Sequence, residues 1–322
     1  MGINLKQITP HKVSTDLSGY MTYIYGPGGA GKSTLASHMP SPLLLAFEKG
    51  YNALPNVMAQ DITSWKEMKD VVRQLRDPEV KAMFKTVAID TVDIASQLCE
   101  KYVCAQLGIE NIGDGGWTTN GWSKAKKEWE STFRAISMEG YAVMFISHCK
   151  DKKFTRKDGT EYNQVVPSCS SAYNEIIKNM VDLEGYIDIN EGERRLILRS
   201  DDDSVECKSR FAMIEPNIAF SYESLVDALQ KAIANEAKLT DNKFITNEKI
   251  KEVAPITYDY NQLMADFQTV VGSLMEKDST KYKSKIVEIT TRVLGKGKKF
   301  TECTVDQVEL MDLVVNELKA LK

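Results

Sequence analysis

An α/β fold with a mostly parallel central sheet, followed by a small helical C-terminal module, is the fold class this sequence predicts. Three observations carry the expectation. Over roughly the first 235 residues, short apolar runs alternate with amphipathic stretches, the rhythm of strand-helix-strand units. A glycine-rich turn of the kind that joins a strand to a helix occupies residues 26–33. After Leu239 the rhythm gives way to a polar stretch containing Pro255, and beyond it to helical periodicity alone.

Residues 22–25, 43–47, 86–89, 142–147, 186–189 and 195–199 read as strands. Ser64 and Glu67 are spaced as a capping box, and Trp65, Met68, Val71, Val72 and Leu75 then share one helical face, which predicts a helix packed on the sheet. A second helix is expected over 94–107, stopped by Gly108, and a third over 123–138, with the polar, glycine-rich residues 111–121 as a loop between them. The expected division is a first domain over 1–235, a linker over 236–258 and a helical module over 259–322. In that module Leu263, Met264, Phe267, Val270, Val271, Leu274 and Met275 recur at helical spacing, and Ile286, Ile289 and Val293 do so again. Thr304 and Gln307 open a last helix, making three short ones.

Composition narrows the function. The chain has 322 residues, 43% hydrophobic and 27% charged, which suits an ordinary globular chain rather than a disordered or rod-like one. With 41 Lys and Arg against 45 Asp and Glu, the net charge of −4 supplies no global field for a polyanion, so any nucleic-acid binding must be local. The six cysteines form no CxxC pair and only three histidines accompany them, so a reduced, metal-free thiol set is expected. No apolar run approaches the ~20 residues that span a bilayer. The beginning, MGINLKQITPHKV, has no apolar leader or small-residue cleavage site. A cytoplasmic protein with no membrane partner is the expectation.

The turn Gly26-Pro27-Gly28-Gly29-Ala30-Gly31-Lys32-Ser33-Thr34 fits G-x-x-x-x-G-K-[ST], directly after one strand and before a helix-compatible stretch. Glycines let the backbone curl so that successive N–H groups point at a phosphate, Lys32 neutralises the β and γ oxygens, and Ser33 ligates Mg²⁺. ATP and Mg²⁺ are therefore the expected cofactors. A magnesium triphosphate also needs a carboxylate at the end of a neighbouring strand. Asp90, closing Thr86-Val87-Ala88-Ile89, supplies one, although the same residue suits a cap for the following helix.

Hydrolysis further requires a group that orients water and positive charge for the transition state. Glu48, at the end of Leu44-Leu45-Ala46-Phe47, is the candidate to polarise the water. His148, after Val143-Met144-Phe145-Ile146-Ser147, is a candidate γ-phosphate sensor. A solvent-facing glutamate and a structural histidine are the plainer readings of the same positions.

With these strand ends, the order of elements resembles the RecA-like branch of P-loop ATPases, over about residues 10–235. The resemblance implies that Glu48 is the catalytic glutamate and Ser147-His148 the sensor. It also implies that Lys208-Ser209-Arg210 is the Lys-x-Arg element through which Lys208 and Arg210 reach a neighbouring subunit's ATP in a homo-oligomer. More narrowly, GPGGAGKST, LLLAFEKG, TVAIDTVD, a GW-containing loop before a long helix, and the FISH strand followed by a basic hairpin resemble compact phage-encoded RecA-like ATPases, among them single-strand annealing recombinases.

That family binds DNA in the region after the FISH strand. Here residues 150–162 carry five basic residues, among them Lys152, Lys153, Arg156 and Lys157, against three acidic ones, with Phe154 and Tyr162 interleaved and Asp158-Gly159 suited to a turn. A hairpin offering phosphate contacts and stacking to single-stranded DNA is one reading, a solvated charged hairpin the other. A second basic stretch, residues 281–299, holds seven Lys or Arg and one Glu, and the acidic last helix suits its neutralisation equally well. The leading function is a DNA-stimulated ATPase of phage recombination or single-strand annealing, partnered by a single-strand-binding protein or another replication or recombination protein. A ring-forming DNA motor and a non-enzymatic nucleotide switch stay open beside it.

Overall fold

The computed structural model describes residues 10, 12–239, 245–246 and 258–321. It divides into two compact units, Met1–Val253 and Ala254–Lys322.

The first unit runs β1 (Val13–Ser14), β2 (Thr22–Tyr25), α1 (Lys32–Ser37), β3 (Pro42–Ala46), β4 (Ala59–Asp61), α2 (Trp65–Gln74), α3 (Pro78–Met83), β5 (Thr86–Asp90), α4 (Val92–Leu107), α5 (Gly116–Thr119) and α6 (Gly121–Met138). It continues with β6 (Ala142–Ser147), β7 (Cys149–Thr155), β8 (Glu161–Pro167), α7 (Ser171–Met180), β9 (Leu183–Asn190), β10 (Glu193–Ile197), β11 (Lys208–Ser209), β12 (Asn217–Ala219), α8 (Tyr222–Lys238) and β13 (Ile245–Thr246).

The main sheet has the order β12-β10-β9-β2-β6-β5-β3-β4, with β11 paired to β9. From β9 to β4 every pairing is parallel, and β10, β11 and β12 add antiparallel pairings on one side. This is the mostly parallel α/β architecture that the alternating apolar runs predict. A parallel sheet must be covered on both faces, which is why its strands read as unbroken apolar runs. Tyr23, Leu45, Val87, Ile89, Val143 and Phe145 point to the side packed by α2, α4, α6 and α7. Their neighbours Ile24, Leu44, Ala88, Met144 and Ile146 point to the side packed by α1 and α8. On the first side Trp65 stacks on Trp129 with ring centroids 5.7 Å apart, and the Trp65 indole N–H donates to Glu128 Oε1 at 2.9 Å.

Local signals act as their chemistry requires. Ser64 Oγ accepts the Glu67 amide and Glu67 Oε2 accepts the Ser64 amide, closing the capping box ahead of α2. Gly108 ends α4 with φ 65°, a left-handed conformation that glycine adopts without a Cβ clash. Two edge strands have no counterpart in the sequence reading: β4 and β12 are three residues each, with too few side chains to show a period. Residues 111–121, read as a loop, contain the single turn α5. Residues 236–258, read as a linker, are partly built into the unit. Lys238 ends α8, and Ile245–Thr246 pair in parallel with Val13–Ser14, because the short apolar-polar run supplies one more strand ladder. Residues 240–244 and 247–257 of that stretch lie outside the described residues.

In the second unit α9 (Tyr260–Leu294) is interrupted at Asp278, whose carboxylate accepts the Lys281 amide at 2.9 Å and restarts the helix. α10 (Val308–Lys319) follows. Leu263, Val270, Leu274, Met311, Val314 and Leu318 form its core, and Phe267 stacks on Phe300 at 3.9 Å. The Thr304/Gln307 box lies on a 3₁₀ turn one step ahead of α10 rather than on the helix itself.

Glu184 in β9 is fully buried beside β2 and β11. Burial first, and then the charge of nearby Glu206, push its carboxyl up to about 8. The folded chain thus keeps a proton that the unfolded chain has lost, so stability falls as pH rises from the ordinary carboxylate range through about 8. Glu184→Gln is expected to remove that loss. In thermal unfolding the variant should gain on the wild type between pH 5 and pH 9, whereas parallel pH profiles would clear Glu184 of the effect.

Candidate active site

The phosphate loop leaves β2 at Gly26 and enters α1 at Lys32. Gly29 and Gly31 have φ of 74° and 99°, values at which an L side chain is strained, and a Cβ on Gly31 would also come within 3.0 Å of the Phe220 ring. The curl these glycines allow brings Lys32 Nζ to the carbonyls of Gly26 and Pro27, both at 2.8 Å. Lys32 is buried, and desolvation lowers its pKa against the opposing charge of Asp90.

Ser33, the residue after Lys32, donates from Oγ to Asp90 Oδ2 at 2.5 Å. Asp90 is buried at the end of β5, where desolvation raises its pKa and the Ser33 hydrogen bond opposes the rise. β6 lies between β2 and β5, so the loop and Asp90 face each other across one intervening strand. Gly50 packs against the pair: a Cβ there would stand 3.2 Å from Ser33 Oγ and 3.6 Å from Asp90 Oδ2. Hard oxygens from a hydroxyl and a carboxylate, left open by a glycine and adjoining a lysine and a run of loop amides, fit a magnesium nucleoside triphosphate. Ser33 and Asp90 would hold the metal, Gly26 to Thr34 the phosphates. The metal would supply charge stabilisation at the phosphoryl oxygens.

Glu48 is tied to the same strand end. The Asp90 carbonyl accepts the amides of Phe47 at 2.7 Å and Glu48 at 3.2 Å. Thr91 Oγ1 donates to Glu48 Oε1 at 2.6 Å, and His148 Nε2 meets Glu48 Oε2 at 3.1 Å. Desolvation pushes the Glu48 pKa up, but the bonds from Thr91 and His148 and the charges of His148 and Lys32 outweigh it, leaving the carboxyl below its ordinary value. His148 is itself positioned by its backbone amide, which donates to Asp93 Oδ2 at 3.3 Å, while Asp93 Oδ1 accepts from Ser168 Oγ. Thr91, Asp93, Ser168 and Gly50 were not assigned these roles from the sequence, since each acts through a contact with a residue distant in the chain.

Lys208 and Arg210 lie elsewhere. β11 pairs with the beginning of β9, at the edge of the sheet opposite the phosphate loop. Lys208 Nζ donates to the carbonyls of Lys178 and Val181, and Arg210 donates to the Asn179 carbonyl at 3.1 Å and pairs with Asp182. Within the chain both cations serve the C-terminal carbonyls of α7, where positive charge suits the helix end. A different cation stands over the loop: Arg194 of β10 reaches the Gly29 carbonyl at 3.5 Å.

The basic hairpin forms from β7 and β8, with Phe154 opposite Tyr162 and Asp158-Gly159 in the turn. Its aromatic rings stack on each other at 5.5 Å. Lys153 pairs with Glu161, Arg156 pairs with Asp203 and lies over Tyr162, and Lys152 lies over Phe154, while Lys157 is exposed. In the C-terminal unit Arg292 pairs with Glu317 and Lys299 with Glu302, so the basic stretch 281–299 is partly neutralised within its own unit. Among the described residues no helix is long and apolar enough to cross a membrane.

Residues 18–211 match the family model described as AAA domain. Over 321 residues the chain is 30% identical to the SPbeta prophage-derived uncharacterized protein YorG of Bacillus subtilis (strain 168), covering 96% of this chain and 95% of that protein. Solved structures similar to it include the RadB recombinase, with a TM-score of 0.35 and 13% identity over 64% of this chain and 89% of that one. A KaiC-like protein from the hyperthermophilic archaeon Pyrococcus horikoshii OT3 gives a TM-score of 0.35 and 13% identity over 63% and 85%.

Gly50 offers a sharp test of the metal pair. Gly50→Val should crowd Ser33 and Asp90 and weaken ATP binding in the presence of Mg²⁺ by about tenfold or more, roughly the cost of one lost charge-assisted contact. Binding measured in EDTA should change little. Equal losses with and without Mg²⁺ would mean that Gly50 supports the loop rather than the metal.

Proposed function

The chain belongs to the AAA-domain family of P-loop ATPases, and on that premise we propose that it is a Mg²⁺-dependent ATPase of phage recombination that acts on single-stranded DNA as a homo-oligomer. The observation that carries the hydrolytic reading is Glu48. A carboxylate held by Thr91 and His148 beside the Ser33–Asp90 pair is fixed and biased toward its ionised form, as a group that polarises water must be. A switch that only binds nucleotide has no use for such a residue. The phage setting is supported by the prophage-derived relative.

In this reading Lys32 and the loop amides bind the phosphates, Ser33 and Asp90 hold the metal, Glu48 orients the attacking water and His148 reports on the γ-phosphate. β7 begins at Cys149, one residue beyond His148, so DNA bound by Lys152, Lys153, Arg156 and Lys157 would bear on the Glu48–His148 contact through continuous backbone. That link is the proposed route of DNA stimulation. Positive charge for the transition state is assigned first to Arg194, already over the loop, and only second to a neighbour's Lys208 and Arg210, which must leave the α7 carbonyls to act. The C-terminal unit is the proposed docking element for a single-strand-binding or other replication or recombination protein. A ring-forming motor shares every one of these site features and differs in assembly and strand unwinding.

The test is phosphate release with and without single-stranded DNA. Glu48→Gln should bind ATP like the wild type and turn it over about a hundredfold or more slowly, the scale of a lost general base. Unchanged turnover would remove Glu48 from the reaction, and wild-type ATP binding with no turnover under any condition would favour the switch. With Arg194 acting in its own chain, Arg194→Ala should cut turnover per subunit by one factor at all protein concentrations. Unchanged turnover in Arg194→Ala, with a loss in Lys208→Ala/Arg210→Ala seen only where subunits assemble, would return the role to Lys208 and Arg210.

A further inference from the structure

The GW segment after α4 and the first turn of α6 keep two indoles out of the core. Trp117 is 100% exposed and Trp122 is 45% exposed, whereas Trp65 and Trp129 are 1% and 0% exposed. A shallow cleft of about 210 Å³ has both Trp117 and Trp122 in its lining, with Gly113, Gly116 and Gly121 contributing no side chains to its floor. An added Cβ on Gly113 would meet only the Trp122 indole nitrogen, at 3.7 Å, and one on Gly116 would meet nothing. Among the described residues neither indole is paired with another ring, in contrast to Phe154 and Tyr162 of the hairpin, which cover each other.

Charge identifies the occupant. Lys124, Lys126 and Lys127 follow on α6, all exposed and none in an ion pair among the described residues. Lys126 lies one helical turn beyond Trp122, on the same flank. The acids that would balance them are engaged elsewhere. Glu128 holds Lys69 and the Trp65 indole, Glu130 holds Arg134, and Asp114 accepts the Asn111 amide, leaving Glu110 as the one carboxylate of the segment with no ion pair or hydrogen bond among the described residues. The hairpin cations, by contrast, are largely spent on Glu161, Asp203 and their own aromatic rings. Two open ring faces beside unpaired lysines are what a single strand needs, since any base can stack and every phosphate is anionic.

We propose that Trp117 and Trp122 form a base-stacking platform for single-stranded nucleic acid, with Lys124, Lys126 and Lys127 taking its backbone phosphates. This rests on the reading of the chain as a single-strand-binding ATPase and adds to it a binding site outside the hairpin.

Titrating the full chain with a dT30 oligonucleotide while recording tryptophan fluorescence and anisotropy tests it. Trp65 and Trp129 are buried, so quenching of the wild type reports on Trp117 and Trp122. The double variant Trp117→Ala/Trp122→Ala should lose the quenching and bind at least tenfold more weakly, and Trp117→Phe/Trp122→Phe should restore most of the affinity. Reversing Lys124, Lys126 and Lys127 to Glu should reduce the salt slope of binding by about 2 to 3. Should the double alanine variant bind dT30 as tightly as the wild type while reversal of Lys152, Lys153, Arg156 and Lys157 abolishes binding, the platform is overturned and the DNA reading survives on the hairpin. Should the wild type fail to bind dT30 at all, both fall. Loss of self-association in the double alanine variant with unchanged DNA affinity would assign the indoles to a protein contact and likewise overturn the platform.

Discussion

The level register of the parallel strands is the constraint on which the site depends. Ala46 is opposite Asp90, Asp90 is opposite Ile146, and Tyr25 is opposite Ser147, so the strands that carry the phosphate loop, Glu48, Asp90 and His148 all end at one edge. One backbone carbonyl then does much of the fine positioning: that of Asp90 accepts the amides of both Phe47 and Glu48, holding two carboxylate-bearing strand ends together. A slip of one residue in any of these pairings would turn the apolar side chains to the opposite face and pull the site apart. Core packing on both faces therefore fixes the chemistry at the edge.

Bringing Lys32, Asp90, Glu48 and His148 into a partly dry site carries a desolvation cost that the contacts offset unevenly. Asp90, deepest of the carboxylates, is left with a raised pKa, and Lys32 with a lowered one, so each is biased toward its neutral form until a partner of opposite charge arrives. Glu48 is shallower and better hydrogen-bonded, and its carboxyl is biased the other way. The two carboxylates thus have different characters set by environment, one suited to a metal and the other to water.

Much of this was legible in the sequence because it depends on local order. The phosphate loop is one contiguous stretch, and Asp90, Glu48 and His148 each close an apolar run whose length marks a strand end. The contacts of Gly50, Thr91 and Asp93 were not legible, because they cross the sheet edge and no spacing encodes them. Arg194 escaped notice as one of several charges on a hairpin. Lys208 and Arg210 show another limit: the Lys-x-Arg pattern is present, but the same cations also satisfy the last carbonyls of α7, a use invisible without the fold. The C-terminal periodicity foresaw three helical segments but not that Asp278 would join two of them end to end.

The claim at the centre is that Ser33 and Asp90 act as one unit on a magnesium nucleotide, and a double-mutant cycle measures that coupling directly. ATP affinity in saturating Mg²⁺ would be determined for the wild type, Ser33→Ala, Asp90→Ala and the double variant. Strong non-additivity is expected, with the double variant binding little worse than the poorer single one, and with the coupling vanishing in EDTA. Losses that simply add, with or without the metal, would contradict it.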